Sequence, residues 1–202
     1  GGAGGGLIVR HGRAEDEIPR LARELGVDKV FANRDYEPDA IVRDSRVAQA
    51  LAEAGIGYED FKDQVVFERD EVMTQAGKPY SVFTPYKNAW LKAVDDFQLK
   101  SYPVKKYTAH LAAKPVGETV PSLTEIGFEP TNLAELQIPL GMSGGRKLFA
   151  DFAARIDRYK RARDFPAVKG VSYLSTHLRF GTVSIRQLAA HARAHGGEGA
   201  ET

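Results

Sequence analysis

Cysteine is absent from the 202 residues, which excludes disulfides, thiolate-ligated zinc, iron–sulfur clusters and thiol nucleophiles together. Any redox chemistry here requires a bound cofactor. No run of about 18 apolar residues occurs, so no membrane span is expected. The opening Gly1 to Gly6 lacks the basic and apolar regions of a secretory signal, which fits a cytoplasmic protein. There is no initiator methionine, and the glycine stretch runs directly into Leu7, Ile8 and Val9, as in a chain that starts inside a longer protein. Neither a G-x-G-x-x-G nor a P-loop is present, so the ordinary dinucleotide and nucleoside triphosphate fingerprints are missing. The five histidines show no ligand spacing beyond His191 and His195, four apart near a glycine-rich end, and no metal is assigned.

With 43% hydrophobic and 27% charged residues, the chain has apolar material for one or two cores. The net charge of +1 hides an asymmetry. Residues 1–145 hold 17 Lys and Arg against 22 Asp and Glu, whereas residues 146–202 hold 11 against 5. Such a local basic excess is either a footprint for phosphate or a solvated helix face.

The hydrophobic pattern alternates strand and helix. Leu7 to Val9 reads as a short buried strand. Ala14 to Leu25 places Ile18, Leu21, Ala22 and Leu25 on one helical face closed by Gly26. Val27 to Ala32 reads as a second strand. Asp39 to Ala54 reads as a helix with Val47, Ala48, Leu51 and Ala52 inward, and Ile56 to Phe61 as a third strand. Parallel neighbours need crossover connections, so this order predicts a doubly wound α/β domain. Ligands of such sheets sit beyond the carboxyl ends of the strands, here at Asn33, Arg34, Asp35, Tyr36 and Glu37. From Lys100 to Gly145 the period is lost among X-Pro pairs and glycines, which reads as an interdomain connection. Beyond it Leu148, Phe149, Phe152, Ile156 and Tyr159 share a face, and Ser184 with Gln187 forms a capping box.

The segment Tyr159 to Gln187 contains Tyr159, Arg-Asp-Phe-Pro at 163–166, Gly170 to Ser175, Gly181, and Ser184 with Arg186. It resembles the opening of the FAD-binding domain of the photolyase and cryptochrome family. Pro79 to Lys92, PYSVFTPYKNAWLK, looks like the aromatic and Thr-Pro signature that closes the family's antenna domain, and Tyr36-Glu37 with Arg43-Asp44 forms a third match. The resemblance implies an α/β doubly wound, Rossmann-like antenna domain lacking its first strand, followed by the start of an all-α FAD-binding domain. The boundaries are 1–99 for the antenna domain, 100–145 for the connector and 146–202 for the helical beginning.

The resemblance implies FAD held by Tyr159, Val171, Ser172, Tyr173, Leu174 and Ser175, and DNA contacted by Arg163. The residues themselves add that Gly170 permits a turn into a helix whose first N–H groups and hydroxyls suit a pyrophosphate, with Ser172 as a plain N-cap the competing reading. Tyr159 is equally placed to be core, and Arg163 to be a surface ion-pair partner. Where the family's folate-binding branch has Asn-Glu, this chain has Asp39 and Ala40, which leaves a folate or deazaflavin type antenna, a second flavin or none. The implied activity is that of a deoxyribodipyrimidine photo-lyase, a monomer acting on DNA that contains pyrimidine dimers, with its catalytic residues expected downstream of Thr202. The alternative is a cryptochrome photoreceptor without repair.

Overall fold

The computed structural model describes residues 5–195 apart from 103, 133, 134 and 137. The chain folds into two compact units, each drawn from two separate stretches. One comprises Gly1–Val65 with Pro103–Pro130, and the other Val66–Tyr102 with Thr131–Thr202.

The first unit is a β–α–β arrangement with a preceding helix. Helix α1, Ala14–Leu25, carries Glu15, Asp16 and Glu17 in its first turn, where they complement the positive end of the helix dipole. It stops at Gly26, whose φ of 61° is the left-handed conformation, and the Gly26 N–H donates back to the carbonyls of Ala22 and Arg23. Strand β1, Lys29–Asn33, follows, then helix α2, Pro38–Glu53, with Pro38 at its first turn, and strand β2, Gly57–Phe61. The strands pair in parallel, from Lys29 opposite Gly57 to Asn33 opposite Phe61. Ala22, Val47, Leu51 and Ile56 form the buried cluster, with Ala14, Val27, Val30 and Tyr58 packed around it. Ala40 is buried too, whereas Ala52, Ile18 and Leu25 are exposed.

Among the described residues the sheet has two strands, and Leu7 to Val9 is not one of them. Leu7 is 69% exposed, and the Val9 carbonyl accepts from the Arg10 guanidinium rather than from a neighbouring strand. The same guanidinium makes a two-pronged pair with Glu118 at 2.6 and 2.7 Å, tying this end of the chain to the 104–130 segment. That segment holds a 3₁₀ helix, Val104–His110, and is otherwise without regular structure where it is described.

The second unit is helical. Helices α3, Phe83–Ala93, and α4, Asp96–Leu99, are separated by a complete capping box in which Asp95 accepts from Phe97 and Gln98 N–H while Gln98 caps Asp95. Helix α5, Gly141–Ala153, gives way to a 3₁₀ turn, Ile156–Arg158, and the short helix α6, Tyr159–Ala162. Helices α7, Ser175–Arg179, and α8, Ile185–His195, complete it. Val66, Val94 and Leu99 are buried against Phe67, Trp90, Ala189 and Ala190, so α8 closes on the ends of α3 and α4. Arg193 donates to the Val94 carbonyl at 3.1 Å there. The expected cap at Ser184 is present, its hydroxyl accepting from Gln187 N–H at 3.4 Å.

Candidate functional site

The segment from Lys169 to Leu174 is a strap stretched between α6 and α7. It is held from both sides. Gly170 is buried against the end of α6, where a Cβ would land on the carbonyl oxygen of Ala162, 2.5 Å from the carbonyl carbon and 2.9 Å from Arg163 N. Only glycine can come this close to another backbone. On the other side Arg155 donates through Nη1 to the Lys169 carbonyl and through Nη2 to the Val171 carbonyl, both at 2.7 Å. Its Nε and Nη2 also donate to Asp151 Oδ2 at 3.2 and 3.1 Å, and its guanidinium lies 5.3 Å from the Phe152 ring. Lys169 Nζ closes the circuit on Asp151 Oδ1 at 2.9 Å. Hydrogen bonding from Lys169, with that from Arg155, holds the Asp151 carboxyl below the usual carboxylate range.

The strap differs from the expectation in one respect. The helix predicted to open at 171 begins at Ser175 and is only five residues long. Tyr173 has φ of 57°, a left-handed conformation no helix accepts, and Leu174 follows near the right-handed region with its side chain 2% exposed. The carbonyls of Lys169 and Val171, taken by Arg155, hold the chain in this open course. Successive N–H groups around a left-handed residue form a small anion-binding concavity. Here the N–H groups of Ser172 and Tyr173 donate to nothing among the described residues. The Ser172 hydroxyl accepts from Leu174 N–H at 3.4 Å, as a turn residue does, and Ser175 is exposed. Two backbone donors and two hydroxyls make a donor set that suits a phosphate.

Tyr159 and Arg163, singled out separately in the sequence, are brought together. The Arg163 guanidinium lies 5.4 Å from the Tyr159 ring and pairs loosely with Asp164 at 3.8 Å. The other edge of the Tyr159 ring stands against Phe152, centroids 5.8 Å apart. Val171 and Tyr173 are exposed, while the Leu174 side chain is turned into the core, so any contact it makes outward is through its backbone.

Beyond β1 the loop is ordered by its own side chains. Arg34 donates to Asp60 Oδ1 at 2.7 Å, and its N–H to the Phe61 carbonyl at 2.9 Å, which extends the parallel pair by one rung. Asp35 accepts from Tyr36 N–H at 2.7 Å, Glu37 is the N-cap position of α2, and Ala40 is buried in that helix. Pairing with Asp44 raises the Arg43 pKa, and burial raises that of Tyr58.

The DNA photolyase family model matches residues 2–107, more than half of the chain. The chain belongs to the DNA photolyase family. A deoxyribodipyrimidine photo-lyase of Halobacterium salinarum is 37% identical over 198 residues, 95% of this chain and 40% of that protein. The crystal structure of a bacterial class III photolyase from Agrobacterium tumefaciens superposes with a TM-score of 0.81 at 27% identity, over 98% of this chain and 42% of its own. An archaeal photolyase from Sulfolobus tokodaii, solved with two FAD molecules, shares the fold with a TM-score of 0.57 at 24% identity, over 95% of this chain and 39% of its own. This photolyase-family chain thus spans about two fifths of the length of the proteins it matches. It combines a small parallel sheet and helices, as an α/β domain does, and no helix among its described residues is long and apolar enough to cross a membrane.

Sequence reasoning missed Arg155. Nothing in its spacing marks it, because its partners Lys169 and Val171 lie 14 and 16 residues away and are reached through their carbonyls, which carry no side-chain signature.

Proposed function

We propose that these residues belong to a light-driven DNA repair flavoprotein, a deoxyribodipyrimidine photo-lyase, and that the strap holds the pyrophosphate of its FAD. The observation that carries this reading is the pair of N–H groups at Ser172 and Tyr173 that no group among the described residues accepts, on a strap held by Gly170 and Arg155. When bound, reduced FAD supplies the electron that splits a cyclobutane pyrimidine dimer. The chain's own part is to bind and orient. Ser172 and Tyr173 present backbone donors, Val171 leads the strap into them, Ser172 and Ser175 add hydroxyls, and Leu174 anchors the strap in the core. Tyr159, wedged between Phe152 and Arg163, is assigned to the flavin as well. Arg163, half exposed, is placed to pair with a DNA phosphate.

In the whole protein we assign 1–99 to a doubly wound antenna domain, 100–145 to the connector and 146–202 to the start of the helical FAD domain. The protein acts as a cytoplasmic monomer on dimer-containing DNA. Ala40 is buried inside α2 and its side chain can accept no hydrogen bond, which tells against a folate antenna held at this position.

The test is Ser172→Asp in the whole protein. A carboxylate competes for the N–H donors and repels phosphate, so a folded, colourless protein is expected. As a mere turn or cap residue, aspartate would replace serine without loss. Stoichiometric flavin absorbance in the variant would therefore refute the assignment.

A further inference from the structure

We infer that Arg155 is a positioning residue for the phosphate strap: one guanidinium, braced by Asp151, grips the Lys169 and Val171 carbonyls and thereby leaves the N–H group that follows Val171 on the open side of the strap. This rests on the reading that the strap binds the FAD phosphates.

Three features set Arg155 apart from an ordinary surface arginine. Its side chain is only 14% exposed, in a unit where most charged groups are solvated. It makes four hydrogen bonds at once, two to main-chain carbonyls and two to one carboxylate oxygen. The planar fork of a guanidinium can span the Lys169 and Val171 carbonyls together, which a lysine ammonium cannot do with the same geometry. The two carbonyls lie on one side of the strap. In a planar trans peptide the N–H lies opposite the carbonyl, so holding the Val171 carbonyl inward leaves the Ser172 N–H on the opposite side, where no protein group among those described takes it.

Asp151 completes the device. It accepts from Arg155 on one oxygen and from Lys169 on the other, so it sets the direction of the fork and places a cation at the start of the strap. The ring of Phe152 at 5.3 Å limits the guanidinium on its flat face. The inference concerns geometry, not charge supply, because four of the five Arg155 N–H donors are consumed inside the protein.

The test uses two flavins in the whole protein stripped of cofactor, FAD and riboflavin, titrated by quenching of flavin fluorescence. Riboflavin has no phosphate and does not engage the strap. Arg155→Lys is expected to weaken FAD about tenfold or more, the loss of one or two charged hydrogen bonds' worth of order, and to leave riboflavin unchanged. Equal weakening of both would show a purely structural role and overturn the inference, as would unchanged affinity for FAD. Should Arg155→Lys fail to fold, Asp151→Ala at a more exposed position serves instead, with about a threefold loss of the FAD-over-riboflavin preference expected from a single disrupted brace. An unaltered preference there overturns the inference. Ser172→Asp separates the two levels. If it retains FAD, the phosphate reading itself fails. If it loses FAD while Arg155→Lys and Asp151→Ala both keep it, the positioning role of Arg155 alone fails.

Discussion

Gly170→Ala tests the strap without any cofactor. The added Cβ would sit 2.5 Å from the carbonyl carbon of Ala162 and 2.9 Å from Arg163 N, both backbone atoms that cannot swing aside. Ordinary carbon contacts are about 3.5–4.0 Å, so strap and α6 must part by about 1 Å. The Arg155 bonds to Lys169 and Val171, now 2.7 Å, would then stretch beyond the limit of a hydrogen bond unless the arginine follows. Overpacking of this kind costs about 1–3 kcal/mol. Alanine also restricts the unfolded chain, which favours folding by about 0.4–1 kcal/mol, so the sign of the net effect is informative. A net loss of about 2 kcal/mol lowers the melting midpoint by about 4–8 °C for a chain of this size. Trp90, the single tryptophan, lies in the same unit and is packed against Phe67, so its fluorescence follows the melt. A midpoint that stays or rises would refute the contact between strap and α6.

Leu51 is fully buried in the first unit, and Leu51→Ala is expected to cost about 2–5 kcal/mol, seen as an earlier far-UV circular dichroism transition. His177, 5% exposed, touches the Pro139 carbonyl through Nε2 at 3.1 Å and the Thr182 hydroxyl through Nδ1 at 2.7 Å. Since a carbonyl only accepts, Nε2 carries the proton. His177→Leu takes the donor from that half-buried carbonyl, for an expected loss of about 0.5–1.5 kcal/mol in the Trp90 melt. Asp151 has a folded pKa below its unfolded one, so its contribution is complete above the ordinary carboxylate value of about 4 and is lost as pH falls through the lower folded value. Wild type is therefore expected to lose stability more steeply than Asp151→Ala below about pH 4, and parallel acid titrations would refute the pairing.

Much of the first unit was legible because its signals are local. Gly26 ends α1 where a left-handed residue is required, and the apolar stripe of α2 carries Val47 and Leu51 to the core. The strand starts were less so, β1 beginning at Lys29 rather than Val27, since an apolar residue at the edge of a sheet looks like one inside it. Leu7 to Val9 has strand composition but spends a carbonyl on Arg10. In the second unit the Thr-Pro and aromatic signature hid helix α3, and α5 begins at Gly141, within the stretch its glycines marked as loop. Tertiary packing outweighs propensity there. At the site, the residue types were readable and the backbone course was not. Nothing local in Tyr173 announces a left-handed conformation, and the arginine that grips the strap just before it, Arg155, lies 16 residues from Val171.

The two units are interleaved along the chain, and this governs how they come into being. Arg10 meets Glu118 across 108 residues, and Arg193 meets Val94 across 99. A ribosome delivers the β–α–β core early, but the bolt at Glu118 arrives only after the whole of Val66–Tyr102 has emerged, and α3 and α4 wait for α8. Each closure spans a long loop, whose entropic cost grows only slowly with length while the search it imposes slows folding. Neither unit can be excised as one continuous stretch, and a truncation that ends before Ile185 leaves α3 and α4 without the helix that closes on them.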